Sequence, residues 1–458
     1  MRGLTTLSKL GLAIALAAIC TSSPAAPVPE GAIAAIDRIA AEEIDQKKVA
    51  SYAVAVVKDG SLVLARGYGY SDLENDVPAT AETVYRLGSI TKQFTAMAIM
   101  LLDEDDKLSV DDELTRFLPD YPTQGHKVTV RHLLNHTSGI KSFTSLPSFH
   151  KHARLDMSHD EMLALFKDES FDFEPGAKWG YSNSGYYLLG MIIEKASGKS
   201  YAEYLQEQIF RPLGMSATRY GDTQPLIRHR AMGYRLMNGE LVNDESISMT
   251  APFAAGALVS NVLDMVKWHQ ALEGDSLLSS ASYEAMYQKT KLTNGVPRPY
   301  GYGWQLGELA GHLRQGHGGG IQGFSTMIGR YPKDRLCVIV LSNTATANSG
   351  AVESRIAKLL LAVEEKPVAD LPIDAELASQ LTGKYRLEVL ELEILAEDGK
   401  LYVKLKGQPR DRLKYQGQRQ FVSSENSELR MTFTPADGKA ERIEGETEGE
   451  KLSATRAE

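Results

Sequence analysis

Two strand-forming segments that stand far apart in the chain constrain its fold more than any other feature. In residues 52–70, two apolar runs are joined by Lys58-Asp59-Gly60-Ser61, which is typical of a tight hairpin. In residues 323–343, two further apolar runs flank Pro332-Lys333-Asp334. The segment between them, residues 89–290, follows a mostly helical pattern with long loops. The sequence therefore predicts an antiparallel sheet that is assembled from both ends of one domain and faced by a helical lobe.

Amphipathic helices are predicted at both ends of this domain. Residues 31–46 carry apolar side chains at helical spacing from Ile33 to Ile44, and residues 350–364 show the same pattern. Such helices would back the sheet on the side away from the lobe. The predicted fold class is therefore α/β in the broad sense and α+β in the strict one, with an antiparallel sheet, flanking helices and a helical lobe.

The pattern changes near the C-terminal end of the chain. Residues 364–372 form a linker-like stretch, beyond which apolar and polar residues alternate with period two. Asp398-Gly399 separates two of these alternating runs and is a turn sequence. The sequence thus predicts a first domain over residues 27–366 and a small antiparallel β-barrel-like domain over residues 367–458.

The first 26 residues have the three-part layout of a secretory signal peptide. Arg2 and Lys9 make the start basic, residues 10–19 are uncharged and apolar, and small residues follow. Cleavage is expected within residues 20–26, which would place the mature chain in the periplasm or outside the cell. A buried N-terminal helix is the structural alternative, and lipid attachment at Cys20 is the alternative form of processing.

Composition excludes several classes of protein. Lys plus Arg number 50 and Asp plus Glu 59, a net charge of −9, so the basic surface that nucleic acids require is missing. The two cysteines, Cys20 and Cys337, are too few for a disulfide scaffold or a four-cysteine zinc site. Cys337 lies in an apolar run and is predicted to be an inert buried thiol. After the leader, no run has the about 18 apolar residues that span a membrane.

Ser89-Ile90-Thr91-Lys92 opens a run of helical pattern directly after Gly88. Residues three apart lie on one helical face, so Lys92 is expected beside Ser89. A serine at a helix N-terminus has backbone N–H groups nearby that stabilise a developing oxyanion. A lysine whose pKa is lowered by burial can accept the proton of that serine. Taken alone, the motif is better explained by an N-cap serine followed by an exposed lysine.

Two further motifs carry groups that fit the same chemistry. Tyr181 and Asn183 lie in a Gly-rich loop before an apolar helix over residues 187–196, where a tyrosine can share a proton relay with Lys92 and an amide can bind a substrate carbonyl. His317-Gly318-Gly319-Gly320 precedes a predicted strand, and glycines at a strand edge let a substrate approach free N–H groups. Alone, the first motif is a capped loop and the second is a flexible turn with a surface histidine.

In this order, the three motifs resemble the S-x-x-K, Y-x-N and [KH]-[TSG]-G set of serine β-lactamases and penicillin-binding proteins. Longer segments extend the resemblance to class C β-lactamase-like serine hydrolases over residues 30–365, namely TVYRLGSITKQFTAMAIMLL, VTVRHLLNHTSGI and PGAKWGYSNSGYYLLGMIIEKASG. The C-terminal segment, with LTGKYRL and DGKLYVKLKG, is similar to the lipocalin-like β-domain appended to such enzymes.

The resemblance implies acyl transfer without a metal or another cofactor. Ser89 would attack a carbonyl carbon while Lys92 and Tyr181 move its proton, and water would then hydrolyse the acyl-enzyme. The backbone N–H groups of Ser89 and Gly320 would form the oxyanion hole, and Asn183 would hold the amide or ester group. The residues assigned a catalytic role are Ser89, Lys92, Tyr181 and His317, and those assigned to substrate binding are Asn183, Gly319 and Gly320.

One departure from the family pattern bears on the substrate. His317-Gly318-Gly319 stands where β-lactamases have Lys-Thr/Ser-Gly, so the fixed positive charge and the hydroxyl that would hold a substrate carboxylate are missing. The histidine form is similar to the esterase, D-aminopeptidase and carboxypeptidase branches. We therefore expect an exported serine hydrolase that acts on amide or ester bonds of small molecules or peptides, with weak or no β-lactamase activity. The alternative is a non-catalytic penicillin- or peptidoglycan-peptide-binding protein or sensor of the same fold.

Three other groups have competing interpretations. His132 and His136 have the i,i+4 spacing of a metal-binding pair, but no glutamate follows the first histidine. Ser182 lies in a segment that resembles a nucleophile elbow, but the second glycine is one residue too distant and no strand precedes it. Four aromatic residues either line the cleft or pack in the core, namely Trp179, Tyr186, Tyr187 and Trp304.

Overall fold

The computed structural model describes residues 31–274, 276–364, 368–387, 390–405, 410–424, 429–447 and 450–457. The predicted signal peptide, which includes Cys20, and the predicted domain boundary at 366/367 lie outside these ranges. Within them, no helix combines the length and the apolar character needed to cross a membrane.

A seven-stranded antiparallel sheet forms the centre of the first domain. Its strands are β1 (Ser51–Lys58), β2 (Ser61–Asp72), β3 (Val77–Pro78), β4 (Gln305–Leu309), β5 (His312–Ile321), β6 (Phe324–Tyr331) and β7 (Leu336–Ser342). They are ordered β4-β5-β6-β7-β1-β2-β3 across the sheet. Strand β1 pairs with β7 in a register that places Tyr52 opposite Ser342 and Lys58 opposite Leu336. The prediction of a sheet built from both ends of the domain is therefore confirmed.

The β1–β2 hairpin shows how local sequence produces this sheet. Asp59 and Gly60 form its two-residue turn with φ values of 51° and 78°. Positive φ at both positions gives a turn whose twist matches that of the strands, and Asp and Gly are among the residues that tolerate it. Strand β1 is buried on both faces, which requires its unbroken apolar run. One core contains Tyr52, Val54 and Val56, and the other contains Ala53, Ala55 and Val57.

Helices cover both faces of the sheet. The α-helices among the described residues are α1 (Ala32–Asp45), α2 (Thr91–Glu104), α3 (Val130–Leu134), α4 (Pro147–His152), α5 (His159–Ala164), α6 (Asn183–Ser197), α7 (Tyr201–Leu205), α8 (Val262–Ala271), α9 (Ser280–Met286), α10 (Ser349–Leu360) and α11 (Ala375–Leu381). Helices α1 and α10 pack on one face through Ile36 and Ile356. On the other face lie the helical lobe and α2, whose side chains are buried without interruption from Thr91 to Met100.

Short strands also occur within the segment that was predicted to be mostly helical. Tyr85–Arg86, Leu258–Ser260 and Arg219–Tyr220 form a three-stranded sheet, while Tyr234–Met237 pairs with Glu240–Asn243 and Thr290–Lys291 with Pro297–Arg298. Strands of two to four residues show too few alternations to be detected by periodicity. The strand Tyr85–Arg86 leads directly into the turn that carries Ser89.

Two predicted element boundaries are wrong near the candidate motifs. Helix α6 begins at Asn183 rather than at residue 187, because Ser182 caps it by accepting a hydrogen bond from the Gly185 N–H. His317–Gly320 lie inside β5 rather than before a strand, and Gln322-Gly323 forms the turn to β6. Glycines in a strand obscure its period-two pattern, which explains the second error.

The C-terminal residues form a closed eight-stranded antiparallel barrel in which each strand pairs with the next. Its strands are β8 (Gly383–Leu387), β9 (Leu390–Glu397), β10 (Lys400–Leu405), β11 (Arg410–Gly417), β12 (Gln420–Ser423), β13 (Arg430–Thr434), β14 (Arg442–Thr447) and β15 (Glu450–Arg456). Strand β15 closes the barrel on β8. The barrel has its own core, in which Tyr385, Phe421 and Phe433 are buried and against which Leu381 of α11 packs. The predicted fold class, including the small β-barrel, is confirmed.

Candidate active site

Ser89 lies in a single 3-10 turn, Gly88–Ile90, that continues directly into α2. Because α2 is buried on all sides, this turn is held rigidly at the centre of the first domain. The Ser89 side chain is nevertheless partly exposed. It is therefore accessible to a substrate and lies beside the backbone N–H groups of the first helical turn.

Lys92 is completely buried one turn after Ser89. Its Nζ lies 3.2 Å from Ser89 Oγ, 2.8 Å from Asn183 Oδ1 and 2.9 Å from the Ala255 carbonyl oxygen. The last two atoms can only accept, so they take the two N–H groups of a neutral amine and leave its lone pair toward the Ser89 hydroxyl. Burial lowers the pKa of Lys92 well below its usual value, which favours that neutral form. Lys92 is thus arranged to accept the Ser89 proton.

Tyr181 lies against the same amine, with the centroid of its ring 4.7 Å from Lys92 Nζ. Burial raises the pKa of the Tyr181 hydroxyl, and its hydrogen bond with Ser89 offsets part of that rise. The phenol therefore keeps its proton at neutral pH. The protonated phenol of Tyr181 can therefore donate a proton, whereas a neutral Lys92 amine can accept one.

Asn183 occupies the first position of α6, and both sides of its amide have partners in the protein. Its Oδ1 accepts from Lys92 Nζ at 2.8 Å, and its Nδ2 donates to Thr144 Oγ1 at 3.1 Å. The side chain therefore orients Lys92 in addition to the substrate-binding role expected from the sequence. One N–H of Nδ2 is left over from these two hydrogen bonds and can meet a substrate carbonyl.

The backbone of β5 forms the other wall of the site. Successive N–H groups along β5 point to opposite neighbouring strands, and the two-residue turns at both of its ends fix which residue bonds to which strand. Gly319 is hydrogen-bonded to β6. The N–H groups of Gly318 and Gly320 therefore point away from β6. On that side β4 begins opposite Gly316, and within the described residues no strand pairs beyond it. Gly320 also lies close to the turn that carries Ser89, since a Cβ atom placed on Gly88 would be 3.0 Å from the Gly320 nitrogen. The N–H groups of Gly320 and Ser89 can therefore flank one substrate oxygen.

Gly319 permits this close approach because it has no side chain. A Cβ at this position would lie 2.0 Å from the Leu87 carbonyl oxygen and 2.3 Å from Thr326 Oγ1. Any other residue would push β5 away from the turn that carries Ser89. Gly319 is buried, whereas Gly320 is exposed. Gly319 therefore sets the distance between β5 and the Ser89 turn and does not contact the substrate, which corrects the substrate-binding role expected from the sequence.

His317 is 2% exposed and belongs to a chain of hydrogen bonds that sets its tautomer. The Ser182 N–H donates to His136 Nδ1, so His136 Nε2 carries the proton and donates to Tyr300 Oη at 3.2 Å. Tyr300 then donates to His317 Nε2 at 2.9 Å, and His317 Nδ1 donates to the Gly318 carbonyl oxygen at 2.6 Å. This series of hydrogen bonds begins at a backbone N–H, which can only donate, and ends at a backbone carbonyl oxygen, which can only accept. The positions of the protons between them are therefore fixed.

Both histidines in this chain are uncharged at neutral pH. Burial lowers the pKa of His317 to about 3. Burial also lowers the pKa of His136 well below its usual value. His317 therefore braces the β5 backbone through its hydrogen bond to Gly318 and does not supply a positive charge.

The structure also assigns local roles to the competing motifs. Ser182 is buried and donates to the Ile140 carbonyl oxygen while it caps α6. His132 completes the capping box of α3 with Thr129, whereas His136 contacts Tyr300. Tyr186, Tyr187 and Trp304 are buried in the core, and Trp179 is the member of that aromatic set that packs against Tyr181.

Four groups of the site were missing from the sequence-based set, namely the Ala255 carbonyl, Thr144, His136 and Tyr300. The Ala255 carbonyl is a backbone atom in a remote turn, and no side-chain motif marks it. His136 was considered only as a metal ligand, and Tyr300 lies 17 residues before His317 in a loop without periodicity. Their roles follow from how the helical lobe folds onto β5, which residue spacing does not express.

The chain is similar to a known protein family and to characterised relatives. A family model described as Beta-lactamase matches residues 36–362. Penicillin-binding protein 4* of Bacillus subtilis (strain 168) is 32% identical over 393 residues, which cover 81% of this chain and 87% of that protein.

Two solved structures extend the comparison. The octameric penicillin-binding protein homologue from Pyrococcus abyssi has a TM-score of 0.67 and 27% identity, covering 92% of this chain and 99% of its own. The D-amino acid amidase from Ochrobactrum anthropi SV3, in complex with L-phenylalanine amide, has a TM-score of 0.64 and 27% identity, covering 72% of this chain and 99% of its own.

Proposed function

The chain belongs to the beta-lactamase family, and we propose that it is a serine hydrolase that cleaves esters or amides through an acyl-enzyme on Ser89. The observation that carries the proposal is the environment of Lys92. Its buried amine lies 3.2 Å from the Ser89 hydroxyl and contacts two carbonyl oxygens, and burial lowers its pKa well below the usual value. In the neutral form that this shift favours, the two oxygens accept both N–H groups and the lone pair is directed at Ser89. A non-catalytic binding protein has no need of an amine held in this form.

The proposed reaction proceeds in two acyl-transfer steps. Ser89 Oγ forms a bond to the substrate carbonyl carbon while Lys92 takes its proton, and the carbonyl oxygen gains the negative charge. The N–H groups of Ser89 and Gly320 stabilise that charge, each by about 3 kcal/mol. The bond to the leaving group then breaks as Tyr181 protonates the leaving atom and recovers a proton from Lys92. Water repeats the sequence on the acyl-enzyme, releases the acid and restores Ser89.

The surroundings of His317 support substrates without a charged group at this position. Both nitrogens of His317 are already engaged, by Tyr300 and Gly318, and its pKa of about 3 keeps it neutral. A substrate carboxylate would therefore find no cation at the third motif. We propose neutral esters and amides of small molecules or peptides as substrates, including D-amino acid amides, with weak or no hydrolysis of β-lactams.

We further propose that the mature protein acts outside the cytoplasm, on the basis of the leader layout of residues 1–26. N-terminal sequencing of protein recovered from the periplasmic or culture fraction tests this. A cleaved N-terminus within residues 20–27 is expected. An intact N-terminus found in the cytoplasmic fraction would contradict it.

Active-site labelling tests the proposed function. A fluorophosphonate should form a stable adduct that peptide mass mapping places on Ser89. The Ser89→Ala variant should lose the adduct, whereas Ser182→Ala, which alters a neighbouring buried serine, should keep it. Absence of an adduct on Ser89, together with no turnover of p-nitrophenyl acetate or D-phenylalanine amide, would overturn the proposal.

A penicillin-binding role is the second candidate, because two of the similar proteins are named as penicillin-binding proteins or homologues of them. It predicts that benzylpenicillin acylates Ser89 stoichiometrically and that the adduct does not turn over. Mass spectrometry of the intact protein over time distinguishes the two, since hydrolysis would restore the unmodified mass. Persistent acylation combined with no turnover of esters or amides would favour this second candidate.

The acid side of the pH–rate profile should report on Lys92. Activity requires its neutral amine and is lost as the pH falls through the Lys92 pKa, which burial places well below 10.5. His317, with a pKa of about 3, is already neutral across this range. We therefore expect His317→Gln to leave the midpoint of the acid limb of kcat/KM unchanged. A midpoint near pH 6.5 that disappears in this variant would contradict the assignment.

Gly319→Ala should separate β5 from the Ser89 turn. Its Cβ would lie 2.0 Å from the Leu87 carbonyl oxygen, so the two N–H groups of the oxyanion hole would move apart. We expect kcat/KM for p-nitrophenyl acetate to fall about 100-fold. Gly318→Ala is the matched control, because its Cβ meets only Met327 Sδ at 3.6 Å and the Thr326 carbonyl oxygen at 3.8 Å. Equal losses in the two variants would show that spacing is not the cause.

A further inference from the structure

Thr326 contacts both backbone segments that form the proposed oxyanion hole, the Ser89 turn and β5. It lies on β6 directly opposite Gly319, and its side chain is 3% exposed. Its hydroxyl lies 2.8 Å from the Leu87 carbonyl oxygen and 3.3 Å from the Gly319 carbonyl oxygen. A threonine hydroxyl carries one proton, so the shorter contact to Leu87 is the main hydrogen bond and the longer one is secondary.

The Leu87 carbonyl lies two residues before Ser89 in the chain, and the Gly319 carbonyl directly precedes the Gly320 N–H. Leu87 is the residue before the Gly88–Ile90 turn, and its carbonyl oxygen also accepts from the Ile90 N–H at 3.4 Å. Its position therefore sets the orientation of the turn that presents the Ser89 N–H. The Gly319 carbonyl belongs to the same peptide plane as the Gly320 N–H, so a contact on one side of that plane orients the donor on the other.

We propose that Thr326 is a positioning residue, whose hydroxyl holds the Ser89 turn against β5 so that both oxyanion donors point at one atom. The inference rests on the proposed function, because an oxyanion hole matters only in acyl transfer. Thr326 does not touch the substrate. It acts through Leu87 on one side and through the Gly319–Gly320 peptide on the other.

The packing around Thr326 favours a specific role for the hydroxyl over simple space filling. Gly319 leaves the space that the hydroxyl occupies, since a Cβ there would lie 2.3 Å from Thr326 Oγ1. A valine would fill the same volume but would leave the Leu87 carbonyl without this donor. Gly319 on β5, which has no side chain, thus lies opposite the hydrogen-bond donor Thr326 on β6.

Thr326→Val and Thr326→Ser test the proposal as a matched pair. We expect Thr326→Val to lower kcat for p-nitrophenyl acetate about 10-fold with KM within twofold of the wild-type value. Affinity for a boronic acid that forms a tetrahedral adduct on Ser89 should fall by the same factor. Thr326→Ser, which keeps the hydroxyl and removes a methyl group, should stay within about threefold of the wild type in both measurements.

Hydrogen–deuterium exchange of peptides covering residues 85–92 provides a readout that does not require activity. Exchange should be faster in Thr326→Val than in Thr326→Ser, because the hydrogen bond that anchors the turn is lost. If the wild type is not labelled at Ser89, the proposed function fails while exchange still decides whether Thr326 holds the turn. Wild-type kcat and exchange in Thr326→Val, or equal losses in both variants, would overturn the role of the hydroxyl.

Discussion

Replacing Lys92 with methionine is expected to lower kcat/KM about 10⁴-fold, the upper end of what a positioned base contributes. Neither Tyr181 nor His317 can replace the amine. Burial raises the pKa of Tyr181, so its phenolate is not available at neutral pH, and His317 faces Tyr300 and Gly318 instead of Ser89. Methionine keeps the length and helix preference of the side chain but removes the lone pair that faces the hydroxyl.

The measurement is ester hydrolysis at the plateau of the pH profile, together with the rate at which a fluorophosphonate labels Ser89. Both rates should fall together, because both begin with deprotonation of the hydroxyl. Thr95→Val is the matched control. Thr95 lies one turn further along α2 and donates to the Ala254 carbonyl oxygen, as Lys92 does to that of Ala255. More than a tenth of wild-type activity in Lys92→Met, or equal losses in both variants, would contradict its role as the base.

Replacing Glu353 with alanine is expected to destabilise the first domain by about 3–5 kcal/mol. Glu353 is fully buried on α10 and accepts from Arg314 Nη2 at 2.6 Å and from the Tyr331 hydroxyl at 2.8 Å. Arg314 on β5 is itself 7% exposed. Truncation of the carboxylate would remove the ion pair of that buried guanidinium with Glu353, and breaking a buried pair costs more than the pair contributes in the intact protein.

Tryptophan fluorescence during denaturant unfolding isolates this effect. All three tryptophans, at positions 179, 268 and 304, lie before the barrel, so the signal reports on the first domain. Arg355→Ala provides a control on the same helix, because its pair with Glu42 is exposed and should contribute less than about 1 kcal/mol. The double variant Arg314→Met/Glu353→Leu should lose less stability than Glu353→Ala. An unfolding free energy of Glu353→Ala within 1 kcal/mol of the wild type would contradict the argument.

Much of the architecture was predictable from local pattern. The Asp59-Gly60 turn and its flanking apolar runs specify a hairpin, and period-two alternation around Asp398-Gly399 specifies barrel strands. Boundaries near the site were less predictable. His317–Gly320 extend β5 although glycines disfavour strands, and the missing side chain of Gly319 is what allows β5 to approach Leu87.

The candidate site also has features that the sequence predicts and features that it does not. Ser89 and Lys92 are one helical turn apart, so their proximity follows from helix geometry and could be inferred from spacing alone. The protonation state of Lys92 could not be inferred, because the burial that lowers its pKa is produced by parts of the chain that are distant from α2. Burial without a carboxylate partner among the described residues favours the neutral base over a structural cation.

The sequence by itself therefore determined the residue types, the order of the motifs and the fold class, since these depend on helical and strand periodicity and on turn chemistry. Only the tertiary structure decided which atoms meet. It placed a neutral His317 as a brace instead of a charge, and it brought Thr326 between the Ser89 turn and β5. The physical reason is that hydrogen-bond partners and burial, which set pKa values and the directions of donors, arise from contacts between residues far apart in the chain.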